Sequence, residues 1–356
     1  MEQIVNDIRN PILLANIHVT MSSSKEDGTA AASETNEDSK QDEAPAKLCS
    51  ACEKKSNTAK LCNWCKCVCY CDGNCQNRHH SEHKEDCMRI KKELDKRGEK
   101  FDLGTEKEIG PLGKLPPREE CPICMRALPL HDSFHMYFAC CGKIICGGCD
   151  MQHQMKSREQ AVPRTCAFCR TAVPESDEKY LVQLRKRVKL KDPAALCNMA
   201  MEYGRGELGL PVDEAKCIDL LRESACLGFP PAHYQLGRFH DNGEMGLEQN
   251  EEEALKYWEK AAEGGHLASR HNAGCIEGGN GNHVAAIRHL RLSASGGCRS
   301  SMDDLIESYF EEGLLHHADL AETLQAFYRS RGEMRSEDRV QYIEYLKENY
   351  KVEYDD

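Results

Sequence analysis

Small and apolar residues recur at a fixed interval through the second half of the chain. From about residue 178 onward the apolar positions follow a helical pattern, and alanines and glycines return in the same order. Residues 232–237 match residues 269–274 at an offset of 37, and residues 224–228 match residues 261–265 at the same offset. The next copy, residues 293–297, follows after 32 because its loop is shorter. A period of this size predicts a solenoid of helix pairs.

Residues 193–331 therefore predict helical repeats. The best-formed unit runs over residues 232–265 and contains Trp258, which is expected in the core of the repeat. An earlier unit at 195–228 fits more loosely, a third covers 269–297, and 300–331 resemble a degenerate fourth. The best-formed unit resembles the Sel-one-like repeat, a relative of the tetratricopeptide repeat. The resemblance implies an α-helical solenoid whose concave face offers an extended surface for binding proteins.

Two further helices are predicted next to the repeats. Residues 178–192 predict a connecting helix, and the basic run at 185–191 is interpreted as one solvated face of it rather than as a nuclear signal. Residues 336–350 predict a helix that caps the solenoid. Ser336 is its expected N-cap, and its inner face is expected to carry Val340, Ile343 and Leu346.

The beginning of the chain has a different pattern. Residues 22–46 are polar, acidic and nearly free of large apolar side chains, which predicts disorder. Glu2 and Asp7 lie where a secretory signal needs positive charge, and no stretch is long enough to span a membrane. We therefore expect an intracellular protein, cytoplasmic or nuclear, with no membrane partner. A net charge of -12 argues against nucleic acid as a partner.

Cysteine is concentrated between these two regions. Of the 22 cysteines, 17 lie between Cys49 and Cys169, most of them in Cys-x-x-Cys pairs. Soft sulfur ligands in groups of four select zinc, and a reducing compartment disfavours the alternative of a disulfide framework. This third of the chain is short of Leu, Ile, Val and Phe, and metal ions commonly fold such small domains. The five later cysteines are interpreted as small buried residues: Cys197, Cys217, Cys226, Cys275 and Cys298.

The first cysteine block offers eight metal ligands, enough for two tetrahedral sites. Pairs separated by two residues are expected on turns, and pairs separated by three on short helices, since i and i+4 share a helix face. The pairs are Cys49 with Cys52, Cys62 with Cys65, Cys71 with Cys75, and His83 with Cys87.

This first block resembles the MYND zinc finger, through the strings at 70–76 and 83–87. The resemblance implies short proline-rich peptides as partners, although His80 stands where that family often has tryptophan. Cys67 and Cys69 are interpreted as spare thiols on a turn, and His79 as a solvated helix residue. The ligands are implied to interleave, with one zinc held by Cys49, Cys52, Cys71 and Cys75, and another held by Cys62, Cys65, His83 and Cys87.

The second block has the spacing of a RING finger. It consists of two flanking Cys-x-x-Cys pairs and a central Cys-Cys…Cys-x-x-Cys string. The resemblance implies a cross-braced pair of zinc sites, and hence four zinc ions in the two fingers. Adjacent cysteines rarely hold one ion, so His131, His135 or His153 remains an alternative to Cys140 or Cys141. The implied sets are Cys121, Cys124, Cys146 and Cys149 for one ion, and Cys140, Cys141, Cys166 and Cys169 for the other.

The RING resemblance also implies a partner. RING fingers commonly recruit a ubiquitin-conjugating enzyme through an apolar residue between the first two ligands and a basic residue after the last. Ile123 and Arg170 occupy these positions. Arg170 would hydrogen-bond across the conjugating enzyme and ubiquitin, a role suited to its planar fork of donors. His153 stands at the third contact position, on the central helix, and Ala167 replaces the usual proline.

The sequence thus predicts a mainly α protein in which two small zinc-stabilised fingers precede a helical solenoid. It contains no nucleophile elbow, phosphate loop or His-Glu-x-x-His motif. Two functions stay open: a multivalent protein-interaction adaptor without catalysis, or a RING-type ubiquitin ligase whose MYND finger or repeats select the substrate. Each finger is expected to fold independently of the solenoid. The predicted segments follow one another in this order: a disordered N-terminus (1–46), the MYND-type finger (47–88), a charged linker (89–119), the RING-like finger (120–172), the connecting helix (178–192), the repeats (193–331) and the capping helix (332–356).

Overall fold

A computed structural model describes residues 47–97, 113–130 and 134–350 of the chain. Over these residues the protein is mainly helical, with a solenoid in its C-terminal half, as the sequence predicts. The predicted disordered N-terminus, residues 98–112 of the predicted linker, and His131 lie outside the described residues. No helix within the described ranges is both long and apolar enough to cross a membrane.

The first cysteine block forms two small hairpins and one long helix. Strand β1 (Lys47–Leu48) pairs antiparallel with β2 (Lys55–Ser56), and β3 (Lys60–Leu61) pairs with β4 (Cys69–Tyr70). Helix α1 (Gly73–Arg97) follows, and an oxygen of Asp72 accepts a hydrogen bond from the Cys75 amide at its start. The sequence predicted separate short helices here, but the structure has a single helix of 25 residues. No glycine or proline interrupts residues 74–97, so nothing in the sequence ends the helix earlier.

The second cysteine block is a hairpin followed by a helix. Strand β5 (His135–Phe138) pairs antiparallel with β6 (Lys143–Cys146), and helix α2 (Gly147–Glu159) begins at the end of β6. Single bridges join Glu120 to Ala127 and Thr165 to Ala172. Each bridge closes the base of a loop that carries one Cys-x-x-Cys pair, so all three cysteine-bearing segments meet around a small core.

Paired helices build the solenoid, as the repeat pattern predicts. Helix α3 (Asp177–Lys189) connects the second finger to it and packs on the first repeat helix. The repeat helices are α4 (Pro193–Arg205), α5 (Glu214–Cys226), α6 (Pro230–Asn242), α7 (Glu251–Glu263), α8 (Leu267–Gly279) and α9 (His283–Ser295).

The local sequence explains where these helices start, stop and cross. Asp192 caps α4 by accepting hydrogen bonds from two amides, and proline occupies the first helical position, where no amide donor is needed. Gly206 ends α4 with φ +69°, a left-handed conformation that favours glycine. A Cβ on Gly237 would lie 2.5 Å from the ring of Trp258, so the helices of this repeat can approach only with glycine here. Trp258 is buried in the repeat core, as predicted.

The C-terminal end of the solenoid departs from the repeat. Short helix α10 (Arg299–Asp304) passes into a π-helical turn (Leu305–Phe310), and helix α11 (His317–Met334) packs against α9. Helix α12 (Glu337–Tyr350) follows, and the Ser336 hydroxyl accepts a hydrogen bond from the Arg339 amide at its start. The predicted capping helix does not extend the solenoid, because it packs against α2 of the second finger. The backbone of Asp338 lies 2.8 Å from where a Cβ on Gly148 would be, so these helices are in close contact.

The first finger shares one hydrophobic core with the end of the solenoid. Apolar side chains of α9, α10 and α11 pack with the cysteines of the finger and with Ile90 of α1. A buried ion pair crosses the same interface, where Arg299 donates two hydrogen bonds of 3.0 and 2.7 Å to the Asp86 carboxylate. Tyr328 of α11 donates to the same carboxylate at 2.6 Å. Because the core is shared, we expect this finger and the end of the solenoid to depend on each other for stability.

The second finger also joins the core of the solenoid. Tyr137 of β5 and the adjacent Ala139 pack in one hydrophobic cluster with Leu184 of α3 and with apolar side chains of α4–α6.

Polar contacts complete the attachment of the second finger. Arg187 of α3 donates to the backbone oxygen of Cys141 at 3.0 Å and pairs with Asp192 at 2.8 Å. Arg339 of α12 donates to the backbone oxygen of Ala127 at 2.6 Å. The basic run of α3 is therefore not simply a solvated face, because Arg187 points into this interface.

Candidate metal centres and binding surfaces

The sixteen predicted ligands come together in four groups. The members of each group place one sulfur or nitrogen atom apiece within 4.8 Å of one another, and the sets are the interleaved ones implied by the two family resemblances. We name them centre A (Cys49, Cys52, Cys71, Cys75), centre B (Cys62, Cys65, His83, Cys87), centre C (Cys121, Cys124, Cys146, Cys149) and centre D (Cys140, Cys141, Cys166, Cys169).

The spacing of the sulfur atoms fits a tetrahedral ion. Four sulfurs at 2.3 Å from a central zinc would be separated by roughly 3.8 Å. The measured separations are 3.7 Å for Cys52 with Cys71 in centre A and 3.6 Å for Cys62 with Cys87 in centre B. They are 3.9 Å for Cys124 with Cys146 in centre C and 3.6 Å for Cys141 with Cys166 in centre D. These distances are much longer than a disulfide bond, and all 22 cysteines are free thiols.

Four loops of the two fingers share one strained backbone geometry. In four of the five Cys-x-x-Cys pairs the residue after the second cysteine has a positive φ: 59° at Glu53, 60° at Lys66, 55° at Met125 and 60° at Arg170. Its amide donates to the backbone oxygen of the first cysteine. Left-handed backbone at non-glycine residues persists only where the surroundings demand it. A metal ion bound by both sulfurs of the pair would hold the loop in this conformation.

Centre B is the most deeply enclosed of the four, since all of its ligands are buried. The Nε2 atom of His83 lies 3.2 Å from the Cys65 sulfur. Burial lowers the pKa of His83, but the neighbouring Cys62 and Cys65 sulfurs outweigh burial and raise it to about 9. The other ring nitrogen faces the Tyr328 hydroxyl at 3.4 Å, so a solenoid residue positions a ligand of the finger.

Adjacent Cys140 and Cys141 both belong to centre D. Two of the proposed substitutes make other contacts: Nε2 of His135 lies 2.7 Å from the Pro129 oxygen, and Nε2 of His153 lies 2.9 Å from the Thr165 oxygen. The Cys169 sulfur is 3.3 Å from the Cys140 sulfur, which places Cys140 within the group.

Several residues to which the sequence analysis gave no structural role are buried and contact other side chains. His79 is not solvated, because it is 5% exposed, its Nδ1 lies 2.9 Å from the Tyr70 hydroxyl, and burial lowers its pKa to about 4. Cys67 and Cys69 are buried rather than spare thiols on a turn. The Cys67 sulfur lies 3.3 Å from Nε2 of His317 on α11. Only the final fold brings these partners together.

The late cysteines are not all buried. Cys197 and Cys217 are buried as predicted, but Cys226 and Cys275 are exposed and Cys298 is partly exposed. Cys275 lies in a fifth group with His271 and Asp304 that also places its ligand atoms within 4.8 Å. The sequence carried a signal for it, because His271 and Cys275 have the same His-x-x-x-Cys spacing as His83 and Cys87.

Both fingers present apolar side chains to solvent. On the first finger, Trp64 is 58% exposed and Met88 47%, and they line an open groove of about 460 Å³. Lysines and one aspartate of α1 form its rim: Lys91, Lys92, Asp95 and Lys96. On the second finger, Ile123 is 44% exposed and Phe168 37%, and Arg170 is also exposed. Exposed apolar clusters of this kind commonly mark binding sites.

Comparison with known proteins supports the solenoid. The Sel1 repeat family model matches residues 193–229 and 230–266, which are the helix pairs α4–α5 and α6–α7. These two repeats are therefore Sel1 repeats, and proteins built from Sel1 repeats serve as protein-interaction scaffolds. No MYND or RING family model was found to match. No curated protein matches the chain.

Two solved structures are similar to parts of the chain. One is a Sel1 repeat protein from Oxalobacter formigenes, with 25% identity and a TM-score of 0.32, covering 35% of this chain and 96% of its own. The other is a protective antigen of uropathogenic Escherichia coli that displays an SLR fold. It has 25% identity and a TM-score of 0.37, and covers 48% of this chain and 36% of its own.

Proposed function

We propose that this protein is a zinc-stabilised interaction adaptor, cytoplasmic or nuclear, that presents a peptide-binding finger on a Sel1-repeat scaffold. The observation that carries the proposal is the exposed groove around Trp64 and Met88, held in place by the core shared between finger and solenoid. Zinc is the ion that suits three or four thiolates in a tetrahedral arrangement. Closed four-ligand centres leave no position for a reacting water, so their role is structural.

The groove fits a short peptide with an apolar anchor and acidic neighbours. The face of Trp64 offers the apolar contact, and three lysines stand against one aspartate among the residues that line the groove. The repeats would add a second, weaker contact surface. Because both surfaces belong to one body, a partner that reaches both gains affinity through effective concentration.

The test is selection of peptides from a displayed random library on the full-length protein, followed by titration of an enriched peptide. We expect an apolar residue flanked by acidic residues, and we expect Trp64→Ala to weaken binding at least tenfold. Leu227→Ala, which removes an exposed apolar side chain from the solenoid, is the matched control and should leave binding unchanged. A failure to enrich any motif, or equal binding by both variants, would contradict the proposal.

A second function rests on the second finger. Ile123 and Phe168 are exposed, and Arg170 projects from its strained loop position after the last ligand of centre D. These are features that a RING-type ubiquitin ligase uses to recruit a charged conjugating enzyme. One observation argues against this function. Helix α12 covers part of α2, the helix that carries the third contact position for a conjugating enzyme, and Gln152 of α2 donates to Gln341 of α12 at 3.3 Å.

Discharge of ubiquitin from a panel of charged conjugating enzymes by the full-length protein tests the ligase. We expect acceleration that Arg170→Ala reduces about tenfold, the loss that follows from removing charge-assisted hydrogen bonds worth about 1.5 kcal/mol or more. Arg158→Ala, an exposed arginine on α2, is the matched control. No acceleration by any enzyme of the panel would leave the adaptor as the only function proposed.

A further inference from the structure

We propose that His271, Cys275 and Asp304 form an exchangeable binding site for a zinc-like divalent cation within the solenoid, separate from the finger centres. We call this group the solenoid triad. His271 and Cys275 lie one turn apart on α8, and Asp304 is the last residue of α10. The site therefore joins two consecutive helix pairs.

The Cys275 sulfur has the separations from the other two side chains that such an ion requires. The Cys275 sulfur lies 3.6 Å from Nε2 of His271 and 3.8 Å from a carboxylate oxygen of Asp304. That oxygen is 3.5 Å from the other ring nitrogen of His271. Zinc bonds of 2.0–2.3 Å at tetrahedral angles separate neighbouring ligands by roughly 3.3–3.8 Å. One ligand atom from each of the three side chains lies within 4.8 Å of the other two, so a sulfur, a ring nitrogen and a carboxylate oxygen surround a common point.

A hydrogen-bond chain prepares His271 as a ligand. Ser301 donates its hydroxyl hydrogen to the Cys298 sulfur at 3.4 Å, which leaves its oxygen free to accept from Nδ1 of His271 at 3.1 Å. With the proton on Nδ1, the lone pair of Nε2 faces Cys275. Metal-binding histidines commonly donate their second ring N–H in this way, which fixes the tautomer and the orientation of the ring.

The carboxylate of Asp304 makes different contacts from that of the adjacent Asp303. Asp303 is held by Arg299 and by Arg89 of the first finger, the latter at 2.7 Å. Asp304 instead turns towards His271 and Cys275. The π-helical turn begins at the very next residue, and such turns occur frequently at functional sites because they redirect side chains out of the helical register.

The triad differs from the finger centres in coordination and access. It offers three ligands of three chemical types, which leaves one position of a tetrahedral ion for water or a ligand atom from another molecule. Cys275 is exposed, and the side chains of His271 and Asp304 are 22% and 37% exposed, so an ion can enter and leave. The mixture of imidazole, thiolate and carboxylate suits zinc better than calcium or magnesium, which take oxygen ligands.

The test compares metal binding by the full-length zinc-loaded protein with that of its variants. Co²⁺ is titrated into each, and the bound ions are counted by native mass spectrometry while thiolate-to-cobalt charge-transfer absorption is recorded. We expect the wild type to bind one ion more than Cys275→Ser, irrespective of the number held by the fingers. Cys226→Ser, which removes an exposed thiol from α5, is the matched control and should bind as the wild type does.

Two near-isosteric variants separate a ligand role from a folding role. Asp304→Asn keeps the size of the side chain, and we expect it to abolish the extra ion while circular dichroism stays unchanged. Ser301→Ala removes only the partner of the ring, and we expect about 10–100-fold weaker binding. Equal ion counts in the wild type and Cys275→Ser, or undiminished binding by Asp304→Asn, would overturn the proposal.

Discussion

The two fingers are built alike but are joined to the solenoid differently. Each has two cross-braced groups of four ligands and the same left-handed loop geometry. The first finger shares a continuous core with α9–α11 and buries the Asp86–Arg299 ion pair in the interface. The second finger keeps a small core of its own around its cysteines, contributes Tyr137 and Ala139 to the core of the first repeats, and is held further by arginines of α3 and α12. The cysteines of the first finger are therefore part of the solenoid core, whereas those of the second finger have a core of their own.

The largest expected effect is loss of a centre in the first finger. Cys62→Ser removes a ligand of centre B, and structural zinc contributes about 10–16 kcal/mol of apparent binding energy in small fingers. Because the core is shared, we expect helix α11 (His317–Met334) to lose hydrogen-exchange protection together with α1. Cys124→Ser in centre C is the matched variant and should leave the protection of α11 unchanged. Protection of α11 in both variants would show that the first finger is as separable as the second.

Breaking the interfacial ion pair should have the next largest effect. Asp86 is fully buried, and Arg299 and Tyr328 both donate to it, so Asp86→Ala removes the buried carboxylate that these two side chains share. We expect about 3–5 kcal/mol of destabilisation, measured by urea unfolding. Asp303→Ala removes the more exposed carboxylate paired with the same arginine, and about 1 kcal/mol or less is expected there. Equal losses in the two variants would mean that the buried pair has no special role in the interface.

The opposite end of the solenoid contains a buried acid whose contribution depends on pH. Both carboxylate oxygens of Glu202 on α4 lack a hydrogen-bond partner among the described residues, and burial raises its pKa from 4.5 to about 8. Between these two pKa values the unfolded chain loses the proton before the folded one does, so stability falls as pH rises. The loss is about 1.4 kcal/mol for each pH unit in this window, hence about 3 kcal/mol between pH 5 and pH 7.

Glu202→Gln should remove this slope. We expect the variant to be more stable than the wild type at pH 8 and the two to converge below pH 4.5, in urea unfolding measured across that range. Glu259→Gln, which removes an exposed carboxylate from α7, is the control and should preserve the slope. A wild-type slope that persists in Glu202→Gln would assign the pH dependence to other groups.

The ligand pairs and the repeats could be predicted because both are local patterns, whereas the combination of the pairs into four sets was implied by the resemblance to known fingers. Pairs of cysteines two or three residues apart and a 37-residue period are visible without knowledge of the fold. The interfaces could not be predicted, since Asp86 and Arg299 or Cys67 and His317 are more than 200 residues apart. The solenoid triad combines a local pattern with a contact between distant residues. The spacing of His271 and Cys275 is a ligand spacing, but their third partner, Asp304, comes from the next helix pair.

The smallest expected effect concerns the attachment of the second finger. Ser336 caps α12 through its hydroxyl, which accepts from the Arg339 amide, and Arg339 in turn donates to the Ala127 oxygen of the finger. Ser336→Ala should cost about 1 kcal/mol of helix stability, while Ser336→Asp restores a capping oxygen and should cost little. We expect faster hydrogen exchange in α12 and in the α2 surface that it covers, with α11 unaffected. Faster exchange confined to α12 would mean that the finger holds its place without this helix, whereas a change in α11 would mean that the two fingers are coupled through the solenoid end.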